Sequence, residues 1–148
     1  MAHLPAGVVV ISTLADEGYK GLTASSLVSI SLEPPMVLVG LEKESATRVA
    51  VLETKAFNVN LLTRAQEFLA DQFAGRAPSI DPRWTTVPHR TGTNGLPLID
   101  GCAAWLECRL VQVHEAGDHD ICVGEVTAAE IGRGDPLLLW DRAFWTLR

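Results

Sequence analysis

The chain has 148 residues, of which 47% are hydrophobic and 20% charged, and its formal net charge at pH 7 is −6. This length and composition predict a single domain over residues 1–148 and exclude a disordered chain. The negative charge argues against a surface for nucleic acid or anionic membranes, the apolar runs are too short to span a bilayer, and no signal-peptide pattern opens the sequence.

The cysteine and histidine patterns exclude further classes of site. Cys102, Cys108 and Cys122 are odd in number and form no C-x-x-C motif, so neither a disulfide framework nor a zinc site is expected. They are most simply small apolar residues buried on strands. No pair of histidines has metal-ligand spacing, so no metal site is predicted. A cytoplasmic location is the default expectation.

The first part of the chain predicts strands on either side of a double-proline turn. The β-branched residues 7–14 predict a strand that ends in a turn at residues 16–18. Residues 27–32 alternate serine with aliphatic side chains, as in a strand with two different faces. Pro34-Pro35 then interrupts the pairing because proline has no N–H to donate, and residues 36–41 predict a second, apolar strand.

Small and hydroxylated side chains at Thr23, Ala24, Ser25 and Ser26 precede the alternating strand. Small residues let a flat ligand approach backbone N–H groups, and hydroxyls add donors and acceptors without charge. The alternative is an edge strand with a solvated Ser/Thr face. The pattern alone leaves both interpretations open.

Two short helices are predicted next. Ser45 can cap a helix over residues 46–54, and Thr63 can cap a second helix that ends near Gln72, after a strand at residues 57–62. Helix N-terminal amides with flanking cations and hydroxyls can bind an anion.

The first helix has such a set in Lys43, Ser45, Thr47 and Arg48, although two neighbouring glutamates weaken the positive field. A capped surface helix with solvated charges is the alternative.

The second half predicts a long hairpin and short closing strands. Residues 75–101 lose periodicity, and a connection of that length usually covers a site or a partner. Residues 103–114 and 119–131 predict the hairpin, and residues 137–140 and 144–147 predict the closing strands. Many strands without regular βαβ alternation or a G-x-G-x-x-G motif favour a closed antiparallel barrel over a doubly wound sheet.

The ordered motifs of the chain resemble those of the short-chain flavin reductases. T-A-S-S, S-x-S-x-x-P-P, F-N-V-N-L-L, F-A-G-R, G-D-H and P-L-L-L-W-x-R-x-F follow one another over nearly the whole sequence. Members of that family are NAD(P)H:flavin oxidoreductases that supply two-component monooxygenases. The resemblance implies a mainly β fold, a closed antiparallel six-stranded split β-barrel (the FMN-binding split barrel) with two or more short flanking helices. Members usually carry a helix before the first strand, whereas only residues 1–6 precede it here.

The resemblance implies hydride transfer from nicotinamide C4 of NADH or NADPH to N5 of FMN or FAD, with no general base. The flavin would be a dissociable substrate delivered to a partner monooxygenase, and a homodimer would share each site between its subunits. Two alternatives stay open. One is an electron-transfer flavoprotein that retains FMN, and the other is a non-catalytic split-barrel module that binds flavin or haem.

The resemblance also assigns residues to cofactor binding, and none to chemical catalysis. It implies that T-A-S-S contacts the flavin edge, that the first helix holds the flavin phosphate, and that His119 lies on the nicotinamide side, oriented by Asp118 or Asp120. His119 as a solvated turn residue is the alternative. The assigned residues are Thr23, Ala24, Ser25, Ser26, Ser31, Leu32, Lys43, Ser45, Thr47, Arg48, Phe73, Arg76, His119, Trp140, Arg142 and Phe144.

For Phe73 and Arg76, at the end of the second helix, the sequence leaves two interpretations each. Phe73 packs on the flavin or only on the core, and Arg76 pairs with a phosphate or is solvated. Phe144 stands where many family members have tyrosine or another aromatic residue.

Overall fold

The computed structural model describes residues 1–74 and 84–147. Strands dominate these residues, with two α-helices, α1 (Ala46–Thr54) and α2 (Glu67–Phe73), and 3₁₀ turns at Arg64–Gln66 and Trp84–Thr86. The strands are β1 (Ala6–Gly7), β2 (Val9–Ala15), β3 (Gly18–Ala24), β4 (Val28–Leu32), β5 (Pro35–Glu42), β6 (Ala56–Leu61), β7 (His89–Thr91), β8 (Pro97–Ile99), β9 (Ala104–Ala116), β10 (His119–Ile131), β11 (Leu137–Trp140) and β12 (Ala143–Thr146).

The strands pair into three sheets within the described part of the chain. The largest has seven strands in the order β3-β2-β6-β9-β10-β5-β4, and its neighbours are antiparallel. A smaller sheet has the order β1-β11-β12, and β7 pairs with β8. The mainly β, antiparallel fold with short helices is therefore confirmed. The large sheet has β3 and β4 as its edges, so closure of six strands into a barrel stays a prediction.

Helix α1 has the bounds that its capping signals predict. Ser45 Oγ accepts hydrogen bonds from the N–H groups of Thr47 at 3.1 Å and Arg48 at 3.4 Å, which satisfies two amides without intrahelical partners. The helix ends where Lys55 adopts a left-handed conformation, with φ of 61°, and its N–H donates to the Val51 carbonyl. Within the described residues, neither helix is long and apolar enough to cross a membrane.

The sequence did not predict β3, because GYKGLTA lacks an alternating apolar pattern. The strand forms on the edge of β2, whose residues Val9 to Ala15 pair in register with Ala24 to Gly18. Gly21 lies inside it because a Cβ there would come within 2.8 Å of the Phe73 ring and 3.0 Å of Trp84. Tertiary packing therefore decides the structure of this segment.

Among residues 1–74 and 84–147, two apolar clusters form the core. One packs α2 and Trp84 against the small sheet and the hairpin of β7 and β8. The other lies inside the large sheet around Phe57 and combines residues of β2, β5, β6, β9 and β10. All three cysteines are buried, as predicted, and Cys108 and Cys122 lie on strands, whereas Cys102 lies between β8 and β9. Burial raises the pKa of Cys102 and Cys108 to about 12 and that of Cys122 to about 11, so these thiols stay protonated at neutral pH.

A buried polar network anchors the connection that has no sequence periodicity. Ser12 Oγ donates to the Pro97 carbonyl at 2.7 Å, and Asn60 Oδ1 accepts from the Ile99 N–H at 2.7 Å. Asn58 Nδ2 donates to the carbonyls of Leu96 and Pro97. These bonds satisfy buried backbone groups and fix residues 96–99 on the back of β2 and β6.

Candidate functional site

A cavity of about 510 Å³ lies beside the end of β3, between α1, α2 and the small sheet. Its volume is within the range of small-molecule sites. Its walls combine apolar and hydroxyl side chains from separate parts of the chain. The described lining residues are Val8, Gly21, Leu22, Thr23, Ala24, Ser25, Glu42, Ser45, Thr47, Phe73, Ala74, Leu139 and Phe144.

The cavity contains part of the residue set that the sequence assigned to cofactor binding. Thr23, Ala24, Ser25, Ser45, Thr47, Phe73 and Phe144 line it. Ser26, Lys43, Arg48 and His119 are next to lining residues in the chain or in the sheet pairing. Ser31 and Leu32 on edge strand β4, and Trp140 and Arg142 at the turn between β11 and β12, are outside the lining. Arg76 lies outside the described residues.

The end of β3 presents hydroxyl groups to the cavity. Thr23 Oγ1 donates to the Ala70 carbonyl of α2 at 2.7 Å, so its oxygen keeps lone pairs that can accept from a ligand. Ser25 follows the strand and is exposed. Phe73, 6% exposed, and the half-buried Phe144 supply aromatic surface. The arrangement suits a flat aromatic ring with polar groups along one edge.

The N-terminus of α1 forms the other side of the cavity. Because Ser45 Oγ accepts from two backbone amides, its hydroxyl hydrogen is available to donate into the cavity. Thr47 is buried and also lines the cavity. The amides of Thr47 and Arg48 are already bonded to the cap, so an anion here would depend mainly on hydroxyl donors. Glu42, the one ionisable residue in the described lining, adds a negative charge.

Lys43 and Arg48, the two cations assigned to the N-terminus of α1, are both paired with carboxylates. Lys43 Nζ lies 3.0 Å from Glu115 Oε1, in an exposed pair. Arg48 Nε donates to Asp120 Oδ2 at 2.7 Å, and its Nη2 lies 2.7 Å from the same oxygen. Arg48 Nη1 also donates to the Lys43 carbonyl at 3.2 Å. The guanidinium therefore connects α1 to β10.

His119 lies beside the T-A-S-S stretch, with Gly40 between them. Ser26 Oγ accepts from the Gly40 N–H at 3.0 Å, and a Cβ on Gly40 would lie 3.4 Å from Ser26 Oγ and 3.5 Å from His119 Cδ2. The hairpin tip is held against its own chain, since the Lys43 N–H donates to the Asp118 carbonyl at 3.0 Å.

The orienting partner of His119 is Asp118, whereas Asp120 binds Arg48. His119 Nδ1 lies 2.7 Å from Asp118 Oδ1. This hydrogen bond is the main reason that the pKa of the Asp118 carboxyl is lowered. A carboxylate only accepts, so Nδ1 carries the hydrogen of this bond, which leaves Nε2 for a ligand.

Sequence analysis missed several lining residues. Val8, between β1 and β2, and Leu139, on β11, are far apart in the chain, and no local pattern shows that they meet in one cavity. Trp84 packs behind the wall, with its ring 5.2 Å from that of Phe73 and 5.8 Å from that of Tyr19. Gly21 carried the only usable signal, a glycine in an otherwise side-chain-bearing strand.

A family model described as the flavin reductase like domain matches residues 1–148. The chain belongs to this family. FMN reductase (NADH) SmoA of Agrobacterium fabrum is 36% identical over 138 residues, which cover 93% of this chain and 77% of that protein.

Two solved structures of flavin reductases share the fold. Streptomyces globisporus C-1027 NADH:FAD oxidoreductase SgcE6, in complex with NAD and FAD fragments, matches with a TM-score of 0.91 and 32% identity, covering 99% of this chain and 88% of that one. The styrene monooxygenase flavin reductase (SMOB) of Pseudomonas putida S12 matches with a TM-score of 0.88 and 29% identity, covering 99% and 93%.

Proposed function

We propose that this member of the flavin reductase like family transfers a hydride from NADH to FMN or FAD and releases the reduced flavin to a flavin-dependent monooxygenase. The observation that carries the proposal is the cavity itself, where the hydroxyl groups at the end of β3, two phenylalanines and the capped end of α1 meet. The named activities of SmoA and SgcE6 support the same reaction, with FMN for one and FAD for the other.

Each part of the cavity has a role in the proposed reaction. The flavin, when bound, supplies the ring that accepts the hydride. Thr23 and Ser25 bind the polar edge of that ring, and Phe73 and Phe144 exclude water from its faces. Ser45 and Thr47 donate to the phosphate at the far end. Since hydride transfer needs no general base, a described lining with Glu42 as its only ionisable residue fits the reaction.

His119 completes the proposed site on the nicotinamide side. Its position beside Ser26 and Gly40 places it next to the stretch that lines the cavity. With Nδ1–H bonded to Asp118, Nε2 is left to form a hydrogen bond with the nucleotide. The nicotinamide carboxamide offers both an N–H donor and a carbonyl acceptor for that bond. The contact positions the nucleotide without transferring a proton.

We propose that residues 1–148 form one domain, that its large sheet curls into a barrel, and that the protein is a homodimer. Packing of residues from opposite halves of the sheet into one cluster around Phe57 supports the barrel.

The proposed dimer is supported by edge strand β4, which exposes apolar side chains: Val28 is 50% exposed, Ile30 44% and Leu32 87%. If β4 packed against a second copy of the chain, Leu32, which lies outside the cavity of its own chain, would approach that second copy. The cytoplasmic location remains a prediction.

Replacing Leu32 with lysine is expected to shift the protein from dimer to monomer, because a charge would replace apolar surface at the proposed contact. Light scattering coupled to size-exclusion chromatography measures the mass. Leu14→Lys, on exposed apolar surface of β2, is the matched control and should remain dimeric. A monomeric wild-type protein would contradict the proposed dimer.

NADH oxidation with and without added flavin tests the proposed function. The expected result is turnover that depends on added FMN or FAD. Turnover by the protein's own tightly bound flavin, without stimulation by added flavin, would indicate an electron-transfer flavoprotein. Binding of flavin or haem without any NADH oxidation would indicate a binding module and overturn the proposal. NADPH, compared at equal concentration, establishes the nucleotide preference.

Riboflavin, which lacks the phosphate, is expected to bind more weakly than FMN. The Ser45 and Thr47 hydroxyls would lose their acceptor, and the difference should depend little on ionic strength because Lys43 and Arg48 are paired with carboxylates. Fluorescence titration at low and high salt measures both affinities. Equal affinities at low salt would contradict a phosphate site at α1.

A further inference from the structure

The carboxylates around α1 neutralise the cations that could bind a flavin phosphate. Arg48 binds Asp120 through Nε and Nη2, each 2.7 Å from Oδ2, and binds the Lys43 carbonyl through Nη1. The Asp120 side chain is 3% exposed and that of Arg48 25%. Water therefore screens this pair poorly, and the attraction between the two charges is strong.

Arg48 cannot turn to another anion without a penalty. Moving the guanidinium away would leave the Asp120 carboxylate charged and buried without its partner, which is unfavourable. The exposed Lys43–Glu115 pair is easier to break, because such pairs contribute little. Glu42 nevertheless remains in the cavity lining, so the field near Ser45 stays weakly positive at most.

We propose that Asp120 determines how tightly this site holds the flavin phosphate, because its pairing with Arg48 keeps the guanidinium from contributing to phosphate binding. This inference rests on the proposed function and deepens it. A site with hydroxyl donors but a neutralised arginine binds the phosphate of FMN or FAD loosely. The flavin then exchanges as a substrate, so the reduced product can leave for a partner. Asp120 thereby acts as a specificity-determining residue for phosphorylated over unphosphorylated flavin.

The direction in which one substitution changes FMN affinity tests this role. Asp120→Asn keeps the shape of the side chain and removes its charge, so Arg48 becomes available to a phosphate. FMN should bind roughly tenfold more tightly, the effect of one added charge-assisted hydrogen bond, whereas riboflavin affinity should stay within about twofold. Fluorescence titrations with both flavins at low salt measure this. The exposed Glu115→Gln is the matched control and should change FMN affinity less.

The double variant D120N/R48Q provides an independent measurement, because Arg48→Gln alone would leave the buried Asp120 carboxylate charged and unpaired. Its FMN affinity should stay within about twofold of wild type, since it lacks both members of a pair that is neutral as a whole. The gain from D120N should thus disappear, because the cation responsible for it is absent. If D120N disturbs the fold, as weakened riboflavin binding would show, the double variant decides.

Three results would overturn the inference. Weaker FMN binding by D120N with unchanged riboflavin binding would show that Asp120 aims Arg48 at the phosphate. Unchanged FMN binding by D120N would show that the pair has no effect on it. A selective loss of FMN affinity of about tenfold in D120N/R48Q would show that the arginine already binds phosphate in the wild type. Wild-type protein that binds neither flavin would instead contradict the proposed function.

Discussion

His119→Ala is expected to lower kcat/KM for NADH by roughly ten- to a hundredfold, the effect of one lost hydrogen bond together with poorer orientation of the nicotinamide. The KM for NADH should rise, and flavin affinity should stay nearly unchanged. The physical reason is the fixed ring, in which Nδ1 is bonded to Asp118 at 2.7 Å and Nε2 is left to bind the nucleotide. Steady-state kinetics with NADH varied at saturating flavin measure the effect.

A second histidine on the same hairpin provides the control. His114 is exposed on β9, and its Nε2 lies 3.0 Å from Gln112 Oε1. His114→Ala should therefore leave kcat/KM at the wild-type value. If His119→Ala also has wild-type kinetics, His119 is a solvated turn residue, and the nicotinamide contact moves to Trp140 and Arg142 as the remaining candidates.

The parts of the fold that sequence predicted are those with strong local signals. Ser45 and the residues after it specify a capped helix, and the structure has that helix over Ala46–Thr54. The hairpin of β9 and β10 follows from two long strand-like runs around Gly117, whose φ of 63° suits a glycine in the turn. In contrast, β3 contains little apolar pattern of its own and exists because β2 pairs with it.

The candidate site was only partly predictable, because ion pairing depends on long-range geometry. Sequence placed Lys43 and Arg48 near the start of α1, and both lie there. Nothing local shows that Arg48 meets Asp120, which is 72 residues away, or that this pair neutralises it. Likewise, both Asp118 and Asp120 were candidates to orient His119. The structure separates them, because Asp118 lies in the turn before β10 and bonds His119, whereas Asp120 is buried on β10 and bonds Arg48.

Ser25→Leu is expected to weaken binding of FMN, FAD and riboflavin by at least tenfold, about 1.4 kcal/mol. Ser25 follows the end of β3 and lines the cavity, so leucine would occupy the space that the ring edge needs and would remove a hydroxyl. The residue is exposed, which means that the larger side chain should not disturb the core. Fluorescence titration with each flavin measures the loss.

The pattern across the three flavins separates this effect from one at the phosphate. Because the ring is common to all of them, Ser25→Leu should weaken each by a similar factor, unlike a change near α1, which should affect FMN and FAD more than riboflavin. Thr91→Leu likewise replaces a hydroxyl residue with leucine, at an exposed position of β7 outside the described lining, and should leave all three affinities unchanged. Wild-type affinity in Ser25→Leu would remove the T-A-S-S stretch from the site, because a ring bound against it cannot share the space with leucine.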